Sequence, residues 1–574
     1  MLAAGQPEWS YDGRPMFFLS LLLACAGTSK ISLGGAETGG PVADPGDPDS
    51  GESLPDPDPG EVLGHPVMIP AGGGFVEPTT VELKVEDGEG LLEYCLADPH
   101  ENGCRYESYL APFEVAESTI VHARVVLAAE QSPPIAHSFI RVNSGLASSF
   151  NSTLPVLLFW TDEGEPDSTN DVPLGLTVIS PVDGGSLSLL DDVESSGRAR
   201  LHVRGSSSAG FDKHAWDLEL WDADTEEDRT EAMTGLPAEG DWVLYAPYYF
   251  DEALIRNPLA FTISNAVGRY APRTRLVEVF VAERGQSLGS SAYVGVYVLT
   301  EEVERGPDRV AITPLLPEDV AAPEVTGGYL FKVDRLAGGE RGFTAGTARG
   351  EWEFQQTFVW VDPSEADVAR AQQTFLEDEL DGIGNALVES DFIDPASGRR
   401  YDQILDVDSF IDHHIINLVM KNPDSLRLSA YMHKDREGLV QAGPVWDFDR
   451  AASSQDSRSV QPTWWDNQNQ TSDCTDVWDF GWYPGLFEDS AFADRYWARF
   501  AELLDGELSA ENLDGMILAL ADGLDDAADR NQARWGGADF RPEIEELRGW
   551  MGQRHAWMRA CIDAYEDPRR CPGS

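Results

Sequence analysis

Two aspartates one residue apart, Asp447 and Asp449 in Trp446-Asp-Phe-Asp, can bring two carboxylates to one divalent cation if the backbone there leaves a regular strand. In a chain with 100 Asp and Glu such a triplet recurs by chance, so its weight comes from its setting. It lies behind Gly443-Pro444, after a short turn around Arg436-Glu437-Gly438, and downstream of another loop aspartate, Asp424. Asp424 sits in Lys421-Asn-Pro-Asp-Ser, just past a helix stop, where an aspartate is ordinarily a turn residue. Cations that could meet an anion are scarce. The chain has six lysines: Lys30, Lys84, Lys213, Lys332, Lys421 and Lys434. Lys213 follows the turn Arg204-Gly-Ser-Ser-Ser, and His214 beside it points to the opposite face of any strand that holds both.

The elements around these residues read as β-rich, then helical. Arg198–Val203, the run Trp216, Leu218, Leu220, then Leu276–Val281 and Val294–Leu299 alternate or are apolar throughout, as strands do. Phe410–Met420 has the spacing of an amphipathic helix, with Pro423 to end it and His413 and His414 as helix-surface or packing residues. Leu513, Ile517, Leu520 and Leu524, then Ile544, Leu547, Met551 and Trp557, fit two or more further helices. The order predicts an α+β protein of two lobes with a helical C-terminal part over residues 150–570. Residues 65–145 alternate in short runs between Pro- and Gly-rich turns, the pattern of a small all-β sandwich.

Composition sets the surroundings. The net charge of −59, from 41 Lys and Arg against 100 Asp and Glu, repels nucleic acid and anionic lipid, so nucleic acid is not expected as a partner. It suits solubility in salt. Met16–Ala24 is an apolar run too short to span a bilayer and fits a signal peptide over residues 1–25. Its end, Leu22-Leu23-Ala24-Cys25, resembles a bacterial lipobox, which implies a lipid on Cys25 as membrane anchor and export to the cell envelope or surface. Residues 26–64 form an acidic, Pro- and Gly-rich tether. Cys95 with Cys104, and Cys561 with Cys571, could form disulfides in an oxidising compartment, leaving Cys474 over.

Six segments carry a resemblance: RGSSSAGFDKHAWDLEL (204–220), GLPAEGDWVLYAPYYFDEALIRNPLAF (235–261), GRYAPRTRLVEVFV (268–281), VGVYVLTEEVERGPDRVAI (294–312), DVDSFIDHHIINLVMKNPDS (406–425) and GPVWDFDRA (443–451). In this order they resemble the CotH kinase family, named for a spore-coat protein. The resemblance implies a reduced protein-kinase-like fold, ATP with Mg²⁺ or Mn²⁺ as cofactors, and transfer of phosphate to protein hydroxyls; known members phosphorylate spore-coat proteins, and some relatives are surface adhesins. It makes Asp424 the catalytic base, Asp447 and Asp449 the metal ligands, and Lys213 or His214 the phosphate cation. Arg204 shares that work or holds its turn. Glu301 would orient the lysine, and Asn257 would open a helix. The sequence departs from the family where Arg450-Ala-Ala-Ser-Ser replaces AFGN and where Ser429 stands in place of an asparagine that some members carry. No protein substrate can be named. The alternative is a catalytically inactive, kinase-like surface protein. Residues 65–145 resemble chitobiase C-terminal-like sandwich modules, which implies a spacer or a glycan-binding unit.

Overall fold

The alternating runs between Val156 and Glu301 come together, in the computed structural model of the chain, as one closed barrel. The structure describes residues 62–571 except 102–103, 163, 167–169, 207, 337–340, 347–355 and 466–476. The expected leader, Cys25, Cys474 and the tether up to residue 61 lie outside the described residues. Seven strands follow one another round the barrel: Val156–Thr161, Val172–Ile179, Ser195–Arg204, Ala215–Trp221, Asp241–Tyr245, Tyr293–Glu301 and Thr274–Glu283. The last pairs back onto the first in parallel, Val156 opposite Glu278 through Thr161 opposite Glu283.

The period of two decides what fills the barrel. Leu201 and Val203, Trp216 and Leu218, and Val277 and Val279 point inward from three different strands. The strand Val156–Thr161 is buried along its whole length. Leu157 and Phe159 enter the barrel, while Val156, Leu158 and Trp160 face outward onto Ile120, Ile140 and Val142 of the preceding β module. A strand covered on both faces needs no polar positions, which is why VLLFWT does not alternate.

That β module comprises a three-stranded sheet (His65–Ile69, Thr79–Glu86, Phe113–Val115) and a larger sheet centred on Leu91–Ala97, Thr119–Leu127 and Ile135–Arg141. Met68, Val81, Leu83, Val121 and Phe139 form a core of its own. A disulfide joins Cys95 to Cys104. The module is also fastened to the barrel: Ser138 N–H donates to Ser196 Oγ (2.8 Å), and Ser138 Oγ–H donates to the Gly197 carbonyl (2.7 Å). The module therefore has its own core and also packs on the barrel wall.

Beyond the barrel lie a five-stranded sheet and most of the helices. The sheet runs Phe343–Ala345, Gln356–Asp362, Tyr329–Val333, Ala430–Lys434, Val440–Ala442. The helix Val407–Met420 is its central support. Asp406 caps it by accepting from Ser409 N–H (2.9 Å), and Lys421, in a left-handed conformation (φ 47°), ends it two residues before Pro423. Its sequence reads as amphipathic, yet it is buried on nearly every side. Two of its polar residues are paired inside: Asp412 takes Arg269 (2.8 Å) and Arg499 (3.0 Å), and His414 bonds to Tyr496 (2.7 Å) and the Val477 carbonyl (2.7 Å). Both histidines are thus packing residues, not surface ones. Five helices follow among the described residues, Tyr483–Glu488, Ser490–Asp505, Ala510–Ala521, Asp525–Trp535 and Phe540–Ala564, and a Cys561–Cys571 disulfide ties down the end of the last. With 29% helix and 30% strand, the protein is α+β with a helical C-terminal part.

Candidate active site

Three chain reversals bring the expected residues toward one another. Strand Ser195–Arg204 ends at Arg204, and Gly205 turns the chain at φ 105°, where a Cβ would stand 2.3 Å from Ser208 Oγ. The central helix stops at Lys421 and releases Asn422-Pro423-Asp424. The segment after Pro444 leaves strand geometry, with Asp447 at φ 65°, Ala452 at 43° and Ser453 at 54°. Such positions cost energy unless neighbours hold them. Arg256 does much of this. Its buried guanidinium pairs with Asp251 (3.0 Å) and donates to the carbonyls of Ala452 (3.1 Å) and Ser453 (3.0 Å). Asn257 Oδ1 accepts from Phe448 N–H (2.6 Å), and Asn422 Nδ2–H donates to the Asp447 carbonyl (3.2 Å). Asn257 thus stands in the first turn of its helix and braces the Asp447 loop through its amide oxygen.

The result is a cleft of about 1170 Å³ lined by Asp424, Asp447, Asp449, Arg204 and part of Lys213. Its wall carries seven cationic and seven carboxylate side chains, in a chain where acids outnumber bases 100 to 41. Local balance against such a background is what an anion's site requires. Asp447 opens onto the cleft, and desolvation by the surrounding wall, then the charges of Asp424 and Asp334, push its carboxyl above the ordinary value. Desolvation and then Asp447 push Asp449 much higher. The two carboxyls share a hydrogen bond and titrate as a pair. Two carboxylates kept close with too little positive charge between them suit a divalent cation.

Asp334 is a member of this cluster that no motif or spacing in the chain announces. It follows the strand Tyr329–Val333, whose register sets Val333 opposite Ala430 and so brings Asp334 to the loop after Asp424. Ser429, at the family's asparagine position, lines the same cleft and donates from Oγ to Asp334 (3.4 Å). Lys332 pairs with Asp334 (3.1 Å).

Three expectations are corrected. Lys213 does not present its ammonium to the cleft. It is 1% exposed, and Nζ donates to the carbonyls of Pro247 (2.9 Å) and Val296 (2.6 Å) and to Asn531 Oδ1 (3.0 Å). Burial pulls its pKa down to about 7, against the attraction of Asp251 and Glu165. Asn531 belongs to the helix Asp525–Trp535, which approaches the barrel at Gly295 (φ 132°), where a Cβ would stand 2.6 Å from Asn531 Oδ1. Glu301 does not orient the lysine. It is fully buried on the other side of its strand and pairs with Arg273 (2.5 Å), whose N–H it also accepts (2.8 Å). His214 does not line the cleft either. Arg204 does, at its lip, ion-paired to Asp217 on the next strand (2.6 Å).

Asp424 faces arginine. Arg458 donates to it twice (2.9 and 3.3 Å), Arg427 pairs with it, and Arg450 stands 4.0 Å away. Only tertiary contact assembles this group.

A family model described as CotH kinase protein matches residues 201–558, well over half of the chain. The barrel strands Val156–Thr161 and Val172–Ile179 precede the matched residues. No curated protein matches the chain.

Proposed function

The chain belongs to the CotH kinase family, and on that premise we propose that it is an atypical protein kinase, two-lobed around the cleft, transferring phosphate from ATP to hydroxyls of a protein substrate with a divalent metal. One observation carries the reading: Asp424, Asp447 and Asp449 meet in a single large cleft whose wall is charge-balanced in an otherwise strongly acidic protein. Asp447 and Asp449 would hold Mg²⁺ or Mn²⁺, which when bound would neutralise charge on the phosphates. Asp424 orients the acceptor hydroxyl and receives its proton. Asn257, Asn422 and Arg256 keep the Asp447 loop in its strained shape before any ligand arrives.

We also propose that the chain is exported and anchored through a lipid on Cys25, with the residues up to 61 as leader and tether. The lipobox-like Leu22-Leu23-Ala24-Cys25 and the two disulfides support this. A second reading, a kinase-like surface protein without catalysis, is favoured by Lys213, whose ammonium is spent on carbonyls.

A thermal melt of the protein with its β module intact separates the two readings, because truncation before residue 150 would bare Val156, Leu158 and Trp160. ATP with Mg²⁺ at 100 times its dissociation constant should add about 2.7 kcal/mol to the folded state. The expected result is a metal-dependent rise in Tm that Asp447→Ala abolishes. No shift at millimolar ATP would sink the kinase reading.

A further inference from the structure

If Lys213 is engaged elsewhere, another cation must meet the phosphate. The candidates stand on the loop that directly follows Asp447-Phe-Asp449. Arg450 and Arg458 are both fastened to Asp456, a buried carboxylate: Arg450 at 3.2 Å, Arg458 at 2.6 Å and, through Nε, 2.9 Å. From this anchor Arg458 reaches Asp424 (2.9 Å), and Arg450 lies 4.0 Å from Asp424 and acts electrostatically on both Asp447 and Asp449. Arg450 thus acts on Asp424, Asp447 and Asp449 together, and Arg458 stands beside it on Asp424, at the space a transferred phosphoryl group crosses. A guanidinium fork fits a phosphate and a carboxylate equally well.

We infer that Arg450 and Arg458 form the phosphate-receiving site of this cleft, for the terminal phosphate of a polyphosphate such as a nucleoside triphosphate, and that Asp424 occupies the site as a carboxylate stand-in until the phosphate arrives. This rests on the kinase reading and deepens it. Phosphate draws Arg450 and Arg458 off Asp424 and leaves it paired with Arg427 alone, so that one of its oxygens is open to the acceptor hydroxyl. Catalytic competence then follows binding, in that order. Arg450 stands where the family continues with AFGN, so the device belongs to this chain's own sequence.

The test is calorimetric titration of the full chain with inorganic tripolyphosphate in the absence of metal. The double variant Arg450→Gln/Arg458→Gln should weaken binding about tenfold or more. Asp424→Asn, which removes the competing carboxylate charge, should tighten it several-fold, a gain that a purely structural role for the arginines does not produce. Melting curves establish that each variant is folded, and Arg450→Gln alone replaces the double variant if that does not fold. No binding by the wild type, equal binding by the arginine variants, or no tightening in Asp424→Asn would overturn the inference. Arginine-dependent tripolyphosphate binding without any Mg-ATP shift keeps the inference and removes the kinase reading. A Mg-ATP shift that depends on Asp447 but not on the arginines does the reverse.

Discussion

Lys213 is the residue at which local sequence and tertiary structure part most clearly. A rare lysine after a glycine turn reads as an anion ligand, and only the packed structure reveals three acceptors waiting for it, one of them 318 residues away. Removing the ammonium takes a donor from all three; Asn531 Oδ1 keeps the Val296 N–H (3.1 Å), and each buried acceptor left unsatisfied costs about 1–3 kcal/mol. Lys213→Met should therefore lower Tm markedly yet leave the Mg-ATP affinity of the folded protein nearly unchanged; a large loss of affinity at preserved Tm would return Lys213 to the phosphates. The carboxylates were legible for the opposite reason. Asp424, Asp447 and Asp449 sit in short segments whose order and local turns can be read directly. Asp334, Arg450 and Arg458 were not legible, because each acquires its neighbours from strand register or loop return. Glu301 had the right strand and the wrong side: period two put it on Arg273.

At the scale of elements, strand positions followed from alternation, whereas barrel closure did not. The closing pair joins Val156–Thr161 to a strand more than a hundred residues later, and parallel pairing leaves no hairpin signal in the sequence. The central helix misled in a related way, since Asp412 and His414 are satisfied by distant arginines and a tyrosine instead of by water. The barrel also gathers carboxylates that nothing local announces. Glu219, Asp228 and Asp241 place oxygens within 4.8 Å of one another, and burial, then Asp228, raises Asp241 to about 7. A carboxyl raised above its unfolded value contributes stability that is present in acid and is lost as pH climbs through the folded pKa. The loss begins above the unfolded value of 3.8 and is complete above about 7, so Asp241→Asn should raise Tm clearly more at pH 8 than at pH 5. Equal effects at the two values would show that the charge of Asp241 is irrelevant to the fold.

For the whole molecule, the −59 net charge is a standing repulsion that the cleft escapes by importing arginine. Salt should relieve the former. Raising NaCl from about 0.05 to about 0.5 M shortens the screening length from roughly 14 to 4 Å and should lift Tm by a few degrees. A Tm that falls with salt would mean that the ion pairs outweigh the excess charge. The sequence announced that imbalance at once, but not its local reversal.

The contact between Lys213 and Asn531 also sets a schedule for folding. A ribosome releases the barrel strands long before the helix Asp525–Trp535 exists, so during synthesis the ammonium at 213 has a buried seat but lacks one of its three acceptors. Domains made first commonly fold first; this barrel wall is completed only by almost the last tenth of the chain. Until residue 531 emerges, the nascent protein has a cleft wall it cannot finish, and any truncation upstream of that point yields a chain permanently in that state.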